Sequence, residues 1–347
     1  MNGLLDGVYT SYVVLIVVLY VVVKFALHEI TPRPESEAPA KKTRDTSVVY
    51  PYGVAEMQGK RPYMEDRFTA VGTLNGDPNA SFYGVFDGHG GDGASEYCAE
   101  MLCDNIMQDP MYQQYPKEAL TKGFLRTDAE YVQYANRRNR DDGTTAVTVL
   151  AKGNTIYVAN VGDSRAILVK KNGEVVALST DHKPNRADER ERVTNMGGHV
   201  IFWGVWRVEG ILAVSRAIGD RMLKPYVIAE PEITQHERSD DDAFIILASD
   251  GVWDVLPNDE VARLALQAES VQLASKTIME YAYQRGSLDN ICAMVIDLRP
   301  KTETQSTVDP PVQVESKGLA EVPEESAKEE EETADTSESA MVTAPLD

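Results

Sequence analysis

The chain has 347 residues, 43% of them hydrophobic, which is ample for a globular core, and a formal net charge of −21. It carries no strong Lys/Arg cluster, so the balance argues against nucleic acid as a partner. The charge is uneven: residues 301–347 hold 3 Lys and 13 Asp or Glu, a net of −10, which leaves −11 for the rest.

Val8 to Leu27 is a 20-residue stretch whose one charge is Lys24. Twenty helical residues span about 30 Å, the thickness of the hydrocarbon core of a bilayer. Lys24, near the end, can snorkel to the headgroups. The rival readings are a cleaved signal peptide and a buried apolar strand. A signal needs a positive n-region, yet residues 1–7 hold Asp6 and no Lys or Arg. Residues 1–30 are therefore expected to form a transmembrane anchor. Arg33, Lys41, Lys42 and Arg44 all follow the span and none precedes it, so the positive-inside rule places the large C-terminal part in the cytosol. Residues 31–47, with Pro32, Pro34 and Pro39, read as a linker.

Residues 48–299 read as one domain. Ser81–Phe86 is a strand, and Gly93–Met107 carries Ala94, Tyr97, Cys98, Met101, Leu102 and Ile106 on a helical period. Ala119–Ala135 continues in that style. Thr144–Leu150, Thr155–Val161, Ala166–Val169 and Val175–Leu178 are β-branched or alternating runs, separated by Lys152-Gly153-Asn154, Gly162-Asp163 and Asn172-Gly173. Connections this short predict antiparallel neighbours in a meander, because parallel strands need a crossover of a dozen residues or more. Asn185–Met196 is a charged helix ending at Gly197-Gly198. Ala243–Ala248 and Ile291–Ile296 are continuous apolar runs, the mark of strands buried on both faces. Between them Glu260–Gln284 is helical, as one helix or two. Residues 300–347, with the run Glu329 to Glu332, cannot bury enough apolar surface to order themselves and read as a disordered acidic tail.

Cys98, Cys103 and Cys292 give no disulfide framework and read as free thiols in a reducing compartment. A catalytic cysteine of the tyrosine-phosphatase kind needs an Arg six residues on, where Asp104, Asp109 and Leu298 stand.

The chemistry lies in the acids. Met64-Glu65-Asp66, Asp87-Gly88-His89-Gly90-Gly91, Ser249-Asp250-Gly251 and Asp289-Asn290 each sit at the edge of an apolar run. Strand ends are where side chains from distant sequence converge. Two like charges at ~4 Å cost roughly 4 kcal/mol at an effective dielectric near 20. Converging carboxylates therefore call for divalent cations, and two such ions can clamp a phosphate and activate water. In the loop after Phe86, Asp87 presents a carboxylate, Gly88 lets its carbonyl approach a cation, and His89 is a nearby proton donor. Gly88-x-Gly90-x-x-Gly93 also matches a dinucleotide fingerprint, but the antiparallel hairpins around it contradict that fold. Arg61, ahead of Glu65 and Asp66, is suited to bidentate phosphate recognition.

Taken in order, Gly59-Lys60-Arg61 to Glu65-Asp66, Asp87 to Gly91, Asp142 to Ala146, Ala159 to Arg165, Asp181-His182-Lys183-Pro184, Leu212 to Asp220, Ala248 to Val255 and Ser287 to Asn290 resemble the protein phosphatase 2C family, the metal-dependent serine/threonine phosphatases. The resemblance runs from about Val54 to Ile296, and the wording around Leu223-Lys224 and Glu230-Pro231-Glu232 is most like plant-type members. It implies an α+β fold: an antiparallel β-sandwich of two central sheets flanked by helices on both sides. It implies phosphoprotein substrates and two Mn²⁺ or Mg²⁺ ions with a water between them. Asp87 would bridge the ions, Gly88 and Glu65 would complete one site, and Asp250 and Asp289 the other. Asp66 would hold a water, Arg61 would bind the substrate phosphate, and His89 would be the general acid. Asp163 and Asp254 resemble positions for a weaker third ion. The substrate-facing flap would include Gly197 to Arg207, with Trp203 and Trp206. The catalytic domain is expected to be monomeric. A catalytically silent scaffold is the competing reading, and the intact set Glu65, Asp87, Asp250 and Asp289 disfavours it.

Overall fold

The computed structural model describes residues 49–299 and the short strand Val312–Gln313. The anchor and linker expected for residues 1–47 lie outside the described residues, as does the tail expected at 300–347 apart from that strand. Among the described residues no helix is long and apolar enough to cross a membrane.

In chain order the strands are β1 (Tyr52–Met57), β2 (Arg67–Val71), β3 (Ala80–Phe86), β4 (Gly88–His89), β5 (Gly143–Thr144), β6 (Ala146–Lys152), β7 (Thr155–Val161), β8 (Arg165–Lys170), β9 (Val175–Ala177), β10 (Val200–Trp203), β11 (Val205–Val208), β12 (Ile218–Gly219), β13 (Glu232–Glu237), β14 (Asp242–Ala248), β15 (Ile291–Asp297) and β16 (Val312–Gln313). The helices are α1 (Gly93–Met107), α2 (Pro116–Arg138), α3 (Ala187–Asn195), α4 (Asp250–Trp253), α5 (Asn258–Gln267) and α6 (Val271–Gln284). Of the two large sheets, one has the order β16-β1-β15-β14-β8-β9 and the other β13-β7-β6-β3-β2, and two small sheets have the orders β10-β11 and β12-β5-β4. All pairings in them are antiparallel except the outermost, where Val312 and Gln313 lie parallel to Ala55 and Glu56.

The apolar runs explain the layering. In β14, Ile245 and Leu247 join Tyr83, Val85, Val147 and Val149 in a core between the two sheets. Their neighbours Phe244, Ile246 and Ala248 belong to a second core with Val261, Ile278 and Met279 of α5 and α6. On the other side Phe82, Phe86 and Leu150 pack with Leu102 and Ile106 of α1 and Phe124 of α2. Both faces of each central strand are thus buried, so alternation is lost and the run reads as continuously apolar. Each such Leu, Ile or Phe contributes roughly 1.5–3 kcal/mol by leaving water. The result is helix, sheet, sheet, helix, the sandwich expected.

One expectation fails. Thr155–Val161 and the following run were expected to be sheet neighbours, but β7 pairs with β6 and β13, while β8 pairs with β14 and β9. Gly162-Asp163-Ser164 carries the chain from one sheet to the other. A short connection forces a reversal, but the reversal can go across the sandwich as well as within a sheet. Gly162 makes it with φ 98°, and a Cβ there would stand 2.5 Å from Thr145 Cγ2.

Candidate functional site

The strand registers bring the acids to one end of the sandwich. Phe86 pairs with Arg67, so Asp87 after β3 lies beside the segment that enters β2. Ala248 pairs with both Arg165 and Ala293, so the end of β14, the start of β8 and the start of β15 coincide. Asp250, Asp163 and Asp289 lie just beyond those three points.

Asp87, Asp163 and Asp250 each offer a carboxylate oxygen within 4.8 Å of the others. Burial, first of all, pushes Asp87 well above the usual carboxylate range; the charges of Asp66, Asp163 and Asp289 add to it. Asp250 is raised well up by burial and then by Asp87, Asp163 and Asp289. Asp66, 1% exposed, is likewise raised by burial, and accepts a hydrogen bond from Ser249 Oγ at 2.7 Å, which pulls the other way. Asp254 is raised by burial and lowered by Lys183. Clustered carboxylates that resist ionising are short of positive charge. The donor set is all oxygen and suits hard divalent cations.

Glu65 is placed through its backbone. Its N–H donates to Asn290 Oδ1 at 2.7 Å and its carbonyl accepts from Ser95 Oγ at 2.6 Å. Gly88 packs against that carbonyl: a Cβ on Gly88 would lie 2.5 Å from Glu65 O. Arg61 stands at the rim, its side chain 52% exposed, with Nη2 2.6 Å from Asp289 Oδ2. His89 Nε2 lies 3.0 and 2.9 Å from the two oxygens of Asp220. Burial would push His89 down, but Asp220, followed by Asp163 and Asp142, outweighs it and the net shift is upward. The three-oxygen group therefore unites Asp163, expected at a weaker outer position, with Asp87 and Asp250 of the expected principal sites.

Four residues were given no individual role from sequence. Asp220 faces His89. Asn290 donates from Nδ2 to the carbonyls of Gln58 and Tyr63, both at 2.8 Å, and so clamps the loop that carries Arg61, Glu65 and Asp66. Ser249 bonds Asp66 and also accepts from Cys292 N–H at 3.0 Å. Asp142, 2% exposed, accepts from Tyr131 Oη at 2.7 Å, from Arg140 and from Ala94 N–H, fixing α1 against β5. Each sits inside a motif quoted above, and that was the only signal available. The segment expected to be the flap contains a hairpin, β10–β11, in which Phe202 and Trp206 meet edge to face and Phe202 and Trp203 are 60% and 51% exposed. Gly88-x-Gly90-x-x-Gly93 lies between antiparallel β4 and α1, with no parallel crossover to form a dinucleotide fold.

Comparisons with known proteins agree with this geometry. The profile of the family described as "Protein phosphatase 2C" matches residues 50–291. The chain is 46% identical over 244 residues to probable protein phosphatase 2C 52 of Oryza sativa subsp. japonica, covering 70% of this chain and 50% of that protein. It is 44% identical over 259 residues to probable protein phosphatase 2C 69 of Arabidopsis thaliana, covering 74% and 73%. The chain thus spans half the length of the first relative and nearly three quarters of the second. The serine-threonine phosphatase 2C structure from Toxoplasma gondii superposes with a TM-score of 0.66 at 26% identity, covering 77% of this chain and 98% of that one. A matched profile over most of the described residues, close sequence relatives and a shared architecture lead to one conclusion: the chain belongs to the protein phosphatase 2C family.

Proposed function

We propose that the chain hydrolyses phosphoserine and phosphothreonine esters on proteins, using two divalent ions, Mn²⁺ or Mg²⁺, and a weaker third. The observation that carries this reading is the convergence of Asp87, Asp163 and Asp250 within 4.8 Å at one end of the sandwich. In the assignment favoured by the family, Asp87, Glu65, the Gly88 carbonyl, Asp250 and Asp289 would hold the two ions, and Asp163 and Asp254 would hold the third. When bound, the ions supply Lewis acidity to the phosphoryl oxygens and lower the pKa of water.

The chain's own residues do the rest. Arg61 offers two parallel N–H groups to the phosphate from the rim, sharing its charge with Asp289. Asp66, held by Ser249, is an acceptor that orients water. Phosphorus is attacked by the oxygen of water in line with the departing serine or threonine oxygen. That oxygen leaves with the bond electrons and needs a proton. Asp220 holds one proton of His89 on Nε2, and the charged ring has a second N–H, on Nδ1, to give.

The test is Mn²⁺-dependent release of phosphate from a phosphoserine peptide. The Asp87→Asn variant is expected to lose several orders of magnitude in turnover with an unchanged circular dichroism spectrum. Near-normal turnover in that variant overturns the assignment.

Further, we place the catalytic domain as a monomer on the cytosolic face of a membrane, held by residues 8–27. The support is the length and apolarity of that stretch and the basic residues after it. Full-length protein should sediment with membranes and resist carbonate extraction, and deleting residues 1–30 should release active soluble enzyme. Full-length chain found in the soluble fraction removes the anchor.

A further inference from the structure

Lys183 has no part in the scheme above, yet its Nζ lies 2.5 Å from Asp163 Oδ2, inside the acidic cleft. Asp163 is 4% exposed and shares the three-carboxylate group with Asp87 and Asp250. The ammonium is not a loosely reaching surface group. Its neighbour His182 is tied to Gly162, the residue before Asp163, by its backbone N–H at 2.9 Å and its ring Nδ1 at 3.1–3.2 Å. Lys183 and Asp163 are thus carried on two segments fastened to each other. A lysine ammonium is charged at neutral pH, so this contact brings a positive charge to Asp163.

A carboxylate oxygen that accepts from an ammonium at this distance presents the same lone pairs that a cation needs. A divalent ion that takes Asp163 must displace the ammonium or sit beside it against like-charge repulsion. We propose that Lys183 is an internal counter-cation of Asp163 that competes with a divalent ion for this carboxylate and so keeps the Asp163–Asp254 side of the cleft weakly binding. The inference deepens the reading of the cleft as a divalent-ion centre and rests on it. It also gives a reason, in this chain's own residues, why a third ion is weaker than the other two: that side already holds a positive charge.

The experiment is calorimetric titration of chelator-stripped full-length chain with Mn²⁺ alone, at one pH, for the unaltered protein, K183M and K183R. K183M removes the charge and keeps the length of the stem. It should show a third binding class at least tenfold tighter than the unaltered chain, with the first two changed much less. K183R keeps the charge and should bind as the unaltered chain does. A K183M titration that matches the unaltered chain, or binds its third ion more weakly, overturns the inference. An unaltered chain that takes up no Mn²⁺ overturns the divalent-ion reading instead. If K183M does not fold, the unaltered chain still decides. The Lys183 side chain is 37% exposed, so an amine-reactive reagent read out by peptide mass spectrometry reports on it. Its labelling should rise severalfold between two equivalents of Mn²⁺ and saturation as the ammonium leaves Asp163, and flat labelling across that range overturns the inference.

Discussion

The histidine proposed as general acid must be protonated, and therefore charged, at the pH where it works, and burial opposes charge. His89 meets this with Asp220, whose two oxygens both lie at about 3 Å from Nε2. The fit is tight enough that a Cβ on Gly143 would stand 2.0 Å from Asp220 Oδ2 and 2.6 Å from His89 Nε2. Asp220→Asn keeps the shape and removes the charge, so His89 should lose its proton at a lower pH. Turnover of a phosphoserine peptide should fall by about 10²-fold at neutral pH. Turnover of p-nitrophenyl phosphate, whose leaving group needs no proton, should fall far less. Equal losses on both substrates would show Asp220 to be merely structural. This pairing was not legible in the sequence. His89 stands out because it follows Asp87 and Gly88, but Asp220 is 131 residues away, after a glycine, with no periodicity to tie the two. By contrast the acids at the ends of apolar runs were legible, because a charge next to a buried strand has few places to go.

Among the elements, the corner at Gly162 positions Asp163, and His182 holds the corner. Burial pushes His182 down to about 4, with Arg216 adding to it, and no hydrogen-bond partner reaches Nε2. A histidine with an ordinary pKa near 6.5 when unfolded and about 4 when folded binds more protons in the unfolded state between those values. The fold therefore keeps its full stability above about pH 6.5 and loses it as pH falls toward 4, by at most about 3 kcal/mol. His182→Asn retains a polar side chain and cannot titrate. Its melting temperature, compared with that of the unaltered chain from pH 7 down to pH 4.5, should fall less steeply; parallel curves would refute the role of His182. Elements with a strong period were read well: Gly93–Met107 and Thr155–Val161 match the structure at both ends. Among the strands not read from the sequence are three long ones of the main sheets. Arg67–Val71 and Glu232–Glu237 are sheet edges with mixed polarity, and Tyr52–Met57 is fully buried but interrupted by Gly53 and Glu56. The change of sheet at Gly162 was missed because turn length specifies a reversal and says nothing about which layer receives the chain.

At the scale of the whole molecule, the cleft is a seam between the two sheets. Asp87 follows β3 of the five-stranded sheet, Asp250 and Asp289 flank β14 and β15 of the six-stranded one, and Asp163 sits where the chain passes between them. Burial and mutual repulsion there work against the sandwich, and the raised pKa values of Asp66, Asp87 and Asp250, due first to burial and then to neighbouring carboxylates, are the sign of it. A carboxylate raised in the fold holds a proton that the unfolded chain has already released. Its contribution to stability is complete at pH below the ordinary carboxylate range and is lost as pH rises through the folded value. In the proposed reading, divalent ions would replace those protons and join the two sheets at one end. Binding to the folded state alone at 100 times Kd adds about 2.7 kcal/mol, which for a domain of this size raises the melting temperature by roughly 5–10 °C. Mn²⁺ should therefore stabilise the chain against chelator-treated protein, and the gain should be larger at pH 8 than at pH 5.5, because protons compete for the same oxygens at the lower pH. Asp87→Asn should lose most of the gain while melting no lower than the unaltered chain in chelator, since it removes a repelling charge. A melting temperature indifferent to Mn²⁺ at both pH values would mean that the acids converge for some purpose other than holding cations.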